Sequence, residues 1–180
     1  MAQPLPEPKV HPVKPLQGCH TAVVTPFTAD GRAVEVSTLK KQIAVQADAG
    51  VAGIVPCGTT GESPTLSEAE HRLVVETAVA EAKPRGLLVT AGAGSNSTSH
   101  AVHLHKMIQS LGVDAALHVS PYYNKPSQEG LYRHFMTIAD SAPLPIMLYN
   151  IPGRCGVAIL PETIERLSKH PNIVAVKEAT

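Results

Sequence analysis

The chain has 180 residues, 43% of them hydrophobic, with 15 basic and 15 acidic side chains and a pI near 7.1. That is enough apolar material for one domain with its own core. The neutral balance gives no electrostatic reason to expect nucleic acid or an anionic membrane as partner, and the longest apolar stretches are strand-sized, too short to span a bilayer.

In chain order, residues 1–16 come first. Prolines at 4, 6, 8, 12 and 15, with no apolar h-region, predict a flexible or polyproline-like arm, not a signal peptide. Residues 17–180 then read as one domain. Six short apolar runs stand out: His20–Thr25, Gly53–Cys57, Leu87–Ala91, Ala115–Ser120, Pro145–Asn150 and Ile173–Lys177. Their centres recur every 28–35 residues or so, roughly the length of one βα unit. Val36–Ala49 lies between the first two and places Leu39, Ile43 and Ala47 on one helix face. Ser67 and Glu70 have capping-box spacing and open a helix through Leu73, Val74 and Ala78. Helices are also predicted over Thr98–Leu111, Ser127–Ala142 and Pro161–His170.

The apolar runs are continuous, not alternating, which predicts parallel strands covered on both faces. Two α/β architectures satisfy this pattern: an open doubly wound sheet and a closed TIM (β/α)8 barrel. Polar, functional-looking loops follow every run, which suits a barrel, whose chemistry is spread around one rim. An open sheet concentrates its site at one switch point. A full barrel takes about 250 residues, so the expectation is an incomplete barrel of about six βα units. Three widely spaced cysteines (Cys19, Cys57, Cys155), with no paired spacing and no secretory leader, point to unpaired thiols and a cytoplasmic location.

Lys177 ends the sixth run. With Ala175 and Ile173 as its inward neighbours at period two, its amine would project among apolar side chains, where desolvation supplies the free base that carbonyl condensation requires. Taken alone, a lysine in this position is more often one leaving a strand for solvent. Tyr149 ends the preceding run, one strand spacing away, and its phenol is a candidate proton relay; a rim tyrosine with a solvated hydroxyl fits as well. Gly58-Thr59-Thr60-Gly61-Glu62 is a turn whose amides and hydroxyls can bond a carboxylate, or a plain strand-to-helix turn. Tyr122 and Tyr123 sit on a proline-stiffened loop in a chain with only 3% aromatics, which argues for a site or an interface. Arg154 follows Pro152-Gly153 and is placed either to clamp a carboxylate bidentately or to lie solvated.

Four of these blocks occur together: Gly58-Thr59-Thr60-Gly61-Glu62-Ser63, Pro121-Tyr122-Tyr123-Asn124-Lys125-Pro126, Tyr149-Asn150-Ile151-Pro152-Gly153-Arg154 and Val176-Lys177-Glu178-Ala179-Thr180. In this order they resemble the class I lyases of the dihydrodipicolinate synthase and N-acetylneuraminate lyase family, over about Gly18 to Thr180. The double threonine, the Tyr-Tyr-Asn-Lys-Pro block and Arg154 look like the synthase branch. The resemblance implies that Lys177 forms an imine with pyruvate, and that Tyr149 relays protons within a triad completed by Thr59 and Tyr123. The Tyr123 equivalent enters from a neighbouring subunit in the family, so a homo-oligomer, a dimer of dimers, is implied. Thr60 would hold pyruvate's carboxylate and Arg154 that of aspartate 4-semialdehyde, on the route to lysine and diaminopimelate. No cofactor and no metal is implied, because the iminium nitrogen is the electron sink.

Departures from the family pattern are visible. Cys155 replaces a threonine after the arginine. Ser63, His71, Asn96 and Tyr122 match the family's lysine-inhibitor cleft, while His100 stands where lysine-sensitive members carry glutamate. The last two strands and the C-terminal helices of the family are not represented, so the alternatives are a sugar-acid aldolase of the same group and an inactive truncated remnant. Gly92–Ser97 begins like a dinucleotide loop but lacks the third glycine. His100 and His103 share a helix face, with no carboxylate suitably spaced in sequence to complete a zinc site. Cys57 reads as a small buried residue at a strand end.

Overall fold

The computed structural model describes residues 15–180, so all but the last two positions of the proline-rich arm lie outside the described residues. Six strands form one sheet: β1 (His20–Ala22), β2 (Gly53–Val55), β3 (Leu88–Gly92), β4 (Ala115–Val119), β5 (Ile146–Asn150) and β6 (Ile173–Glu178). Every pairing is parallel and the spatial order is the sequence order, β1 to β6. A doubly wound sheet reverses its strand order at the switch point. No reversal occurs here, so the barrel reading holds and the open sheet falls.

Five helices follow from recognisable start signals. They are α1 (Val36–Asp48), α2 (Glu68–Ala82), α3 (Thr98–Ser110), α4 (Gln128–Ala139) and, after a single turn α5 (Pro152–Cys155), α6 (Pro161–Leu167). Ser67, Ser97 and Ser127 cap α2, α3 and α4 through their side chains. Ser67 forms the expected capping box: its amide donates to Glu70 Oε2 at 2.8 Å while the Glu70 amide donates to Ser67 Oγ at 3.3 Å. Where the sequence predicts a loop after β5, the chain first makes the α5 turn. Pro152 at its first position needs no amide partner and starts it.

Neighbouring residues on each strand separate into two layers. Ile54, Val89, Ala91 and Ala116 join Leu39 and Ile43 of α1 and Val74, Val75 and Ala78 of α2 in one buried cluster. Ile146 and Leu148 join Leu131, Phe135 and Ile138 of α4 and Leu167 of α6 in another. Each fully buried Val, Leu, Ile or Phe side chain among them contributes about 1.5–3 kcal/mol. Val55, Leu117 and Tyr149 point the other way and pack with Val119, Met147 and Ile151. One face is therefore covered by helices and the other by the curl of the sheet on itself, which explains strands that are apolar on both sides.

One expectation for the lysine strand needs correction. The β5–β6 register runs Ile146↔Ile173 and then Met147↔Ala175, a β-bulge of one residue. The extra residue flips Ile173 to the helix side, where it is buried with Ile146 and Leu148. Ala175 and Lys177 face inward with Met147 and Tyr149; Ile173 does not. Val176 aligns with Leu148 on the outer face, where it is left half-exposed.

Candidate functional site

The carboxyl ends of the strands open into a cavity of about 200 Å³ lined by Ala22, Val55, Gly58, Thr59, Thr60, Tyr149, Ile151, Arg154 and Lys177. Five of the six sequence-predicted site residues meet here. Lys177 pairs in register with Tyr149, and its Nζ lies 4.2 Å from the centre of the Tyr149 ring. The amine thus sits over the ring face, a cation–π arrangement. Burial pushes the Lys177 amine below its ordinary titration range. Tyr149 is itself buried, 6% exposed, and forms the floor on which the lysine rests.

The turn after β2 brings Thr59 and Thr60 to the mouth. The amides of Gly61 and Ser63 both donate to the Gly58 carbonyl, at 3.0 and 3.3 Å, and that of Glu62 donates to the Thr59 carbonyl at 3.1 Å. Thr25, beyond the end of β1, fastens the turn from outside: its buried hydroxyl donates to the Gly61 carbonyl at 2.7 Å. Cys57 and Glu62 flank the turn at left-handed φ values of 53° and 58°. Gly92 of β3 is what lets the turn settle, because a Cβ there would collide with the Cys57 carbonyl. That contact accounts for the first glycine of the Gly92–Ser97 segment without a nucleotide.

Arg154 reaches the cavity from α5, and no acidic partner accepts from its guanidinium among the described residues. It is exposed and available to an anion. Tyr123 is elsewhere. It is 89% exposed, at a left-handed φ of 71°, on the loop after β4. Neither Thr59 nor Tyr149 has a hydrogen bond to it among the described residues, so the three-hydroxyl arrangement does not form within this single chain.

Ala22, Val55 and Ile151 were not picked out from the sequence; being the apolar wall of a rim, they carry no chemical signal. The histidine segment divides as its spacing suggests. His100 and His103 stack at 6.5 Å on the surface, while His105 is buried. A carboxylate does approach, from another helix: Glu68 of α2 lies 3.0 Å from His103 Nε2. Among the described residues no group of three potential ligands is arranged to hold a metal. Ser63, His71, His100 and Tyr122 line a separate cavity of about 100 Å³. Cys57 is buried and its thiol is pushed up to about 12 by desolvation.

A sequentially ordered, helix-covered parallel sheet with a desolvated lysine on its carboxyl rim defines a lysine-centred (β/α) barrel site. The chain belongs to the dihydrodipicolinate synthetase family, whose model matches residues 15–180. It is 56% identical over 164 residues to the 4-hydroxy-tetrahydrodipicolinate synthase of Gluconobacter oxydans, covering 91% of this chain and 54% of that relative. The corresponding enzyme of Pelobacter propionicus is 52% identical over 164 residues, covering 91% of this chain and 56% of the relative. Among solved structures, the synthase of Methylacidiphilum fumariolicum SolV superposes with a TM-score of 0.87 at 49% identity, covering 92% of this chain and 54% of that one. The dihydrodipicolinate synthase of Acinetobacter baumannii in complex with pyruvate gives 0.89 at 46%, covering 92% and 56%. The chain spans about half the length of the curated relatives it matches. The fold is thus the TIM barrel of this family, of which the chain supplies six strands.

Proposed function

We propose that this chain carries the imine-forming portion of a class I lyase that condenses pyruvate with aspartate 4-semialdehyde to 4-hydroxy-tetrahydrodipicolinate. The observation that carries the reading is the Lys177 amine, lowered in basicity and held over Tyr149 in a cavity that also presents Thr59, Thr60 and Arg154. The free amine attacks the keto carbon of pyruvate, and loss of water gives an iminium at Lys177. Its positive nitrogen acidifies the methyl group, whose proton passes to Tyr149; the resulting enamine carbon attacks the aldehyde, and the amino group of the second substrate then displaces Lys177 from the iminium carbon, closing the ring and freeing the amine. Tyr149 is the acid–base that protonates the carbinolamine oxygen lost as water, with Thr59 as its partner and Tyr123 supplied by a second copy of the chain. The exposure of Tyr123 supports that assignment, because a tyrosine held out on a strained loop is placed to reach a neighbour. Thr60 takes the pyruvate carboxylate, and Arg154 takes the carboxylate of the second substrate.

The A. baumannii relative binds pyruvate, which supports pyruvate as the first substrate here. All three cysteines are free, which fits a reducing cytoplasm; no described helix is long and apolar enough to cross a membrane. The test is borohydride reduction in the presence of pyruvate, followed by peptide mass spectrometry. A pyruvyl adduct on Lys177 is expected. Its absence from Lys177 refutes the mechanism.

A further inference from the structure

The geometry points to a register clasp behind the reactive lysine. We propose that the Asn150 carboxamide and the Glu178 carboxylate act as positioning residues that keep Lys177 facing the cavity and tie its strand to the segment that follows Arg154. This rests on the imine reading only for its consequence in catalysis; the positioning itself concerns the amine alone.

Asn150 ends β5 with its side chain on the outer face, 3% exposed. Its amide is used at both ends. Nδ2 donates to Glu178 Oε2 at 2.9 Å and to Oε1 at 3.1 Å, while Oδ1 accepts from the Ile159 amide at 2.9 Å. The Ile159 carbonyl lies 3.5 Å from the same Nδ2. The Asn150 carbonyl also accepts from the Ala179 amide at 3.0 Å, so this one residue binds the end of β6 through main chain and side chain. Glu178 completes the arrangement by accepting from the Ala179 amide at 3.0 Å. A carboxamide suits this position, because the Ile159 N–H requires an acceptor and the carboxylate requires a donor on the same short side chain.

A register lock is needed here for a physical reason. β6 pairs in parallel with β5 from Ile173 to Glu178. Its first pairings already contain a one-residue slip, at Ile146/Met147. Since side chains alternate, one further slip would turn Lys177 outward and leave the cavity without its amine. Glu178 is the next residue along, and it bonds Asn150 only if Lys177 is opposite Tyr149. The same carboxamide holds Ile159, just beyond α5 and Arg154. The two cationic walls of the cavity are thus referenced to one buried amide.

The test is competitive acetylation of the amines with trace acetic anhydride across pH, read by peptide mass spectrometry, with exposed Lys169 as internal reference. It needs no pyruvate. Failure to trap pyruvate on the wild-type chain would therefore refute the proposed function and leave this result standing. The titratable groups around Lys177 are Tyr149 on β5, Arg154 on α5 and Glu178 on its own strand. Glu178 is exposed, so Glu178→Ala leaves the core untouched. Loss of the clasp releases the amine toward water and raises the Lys177 midpoint by about half a pH unit, which is roughly threefold less free amine at a given pH below it. Loss of a nearby negative charge acts in the opposite direction, so the sign separates positioning from charge. Glu178→Gln keeps an acceptor and should not raise the midpoint. Asn150→Ala, which removes both side-chain bonds without changing charge, should raise it as well. Unchanged or lowered midpoints in folded Glu178→Ala overturn the proposal, as does a folded Asn150→Ala with the wild-type midpoint. If Asn150→Ala does not fold, Glu178→Ala decides alone.

Discussion

Lowering the pH from 7 to 5 should weaken this fold far more than its surface charges would suggest. Three histidines are buried together behind the sheet: His105 on α3, His118 on β4 and His134 on α4. His105 Nδ1 and His118 Nε2 share one hydrogen bond of 3.0 Å, which requires one donor and one acceptor and so at least one neutral ring. His134 Nδ1 meets the Thr98 hydroxyl at 2.9 Å, and its ring stands edge-on to Phe135 at 5.1 Å. Burial lowers His105 and His134 to about 4. It lowers His118 well below the usual value, helped by the two neighbouring histidines. No carboxylate pairs with any of the three among the described residues. His71 is shifted the same way, chiefly by burial.

The sign follows from proton counting. Between the unfolded value of 6.5 and the folded value near 4, the unfolded chain binds protons that the native one refuses. Stability is then full above about pH 7 and falls as pH drops toward 4. Between pH 6 and 5 each neutral buried histidine costs about 1 kcal/mol, or roughly 3 kcal/mol for the three. That is a large share of the 5–15 kcal/mol or so typical of a domain. The carboxylates held below their usual range, Glu68, Glu70, Glu81, Glu129 and Glu178, act in a separate window. Their contribution is present above about 4.5 and lost only below it. Urea unfolding at pH 7, 6 and 5 reads the effect as a fall of roughly 1–2 M in midpoint over the last pH unit, with m near 2 kcal/mol/M. His105→Leu/His118→Leu removes both partners of the shared bond, which leaves no orphan from that pair and costs little at pH 7.5. It should abolish about 2 kcal/mol of the acid-dependent loss. A double variant with the wild-type pH dependence would show that the buried pair is not its source.

Other outcomes follow from the site and its supports. Arg154→Ala should leave borohydride trapping of pyruvate on Lys177 intact while lowering turnover of aspartate 4-semialdehyde by about 10–100-fold, as expected for losing charge-assisted bonds of about 1.5–3 kcal/mol. Equal turnover would remove the main support for the synthase branch over a sugar-acid aldolase. Gly92→Ala drives a methyl group against the Cys57 carbonyl, which is backbone and cannot swing aside; an overpacking loss of about 1–3 kcal/mol is expected in the urea midpoint. With Ellman's reagent near neutral pH, exposed Cys19 should react promptly. Buried Cys57 and Cys155, both raised by desolvation, should react only on unfolding.

How far the site was legible depends on the range of the interactions that build it. Lys177, Tyr149, Thr59, Thr60 and Arg154 stand at the ends of apolar runs, and a parallel strand delivers its last residues to one rim whatever the details of packing. Their convergence in one cavity therefore needed only the strand assignment and the barrel order. Helix starts were legible for a similar reason, since Ser67, Ser97 and Ser127 act on amides three residues away. Helix ends were less so. The pattern over Ser127–Ala142 runs on past Ala139, where the helix ends and the distant Asn172 carboxamide donates to the Ala139 carbonyl. The bulge at Ile173 leaves no local mark, because it is the partner strand that decides which residue goes unpaired. The Asn150 clasp is invisible for the same reason, its partners lying 9 and 28 residues away. Tyr123 marks the limit of any single-chain reading. Its motif is as specific as the others, yet it projects 89% exposed from its loop. If it serves the same reaction, the hydroxyl that Tyr149 needs must arrive from another chain. Under the proposed mechanism, the imine at Lys177 requires the amine and the apolar wall, which one chain holds, whereas efficient proton relay requires the neighbour. Dilution of an associated form should therefore slow turnover before it abolishes pyruvate trapping at Lys177.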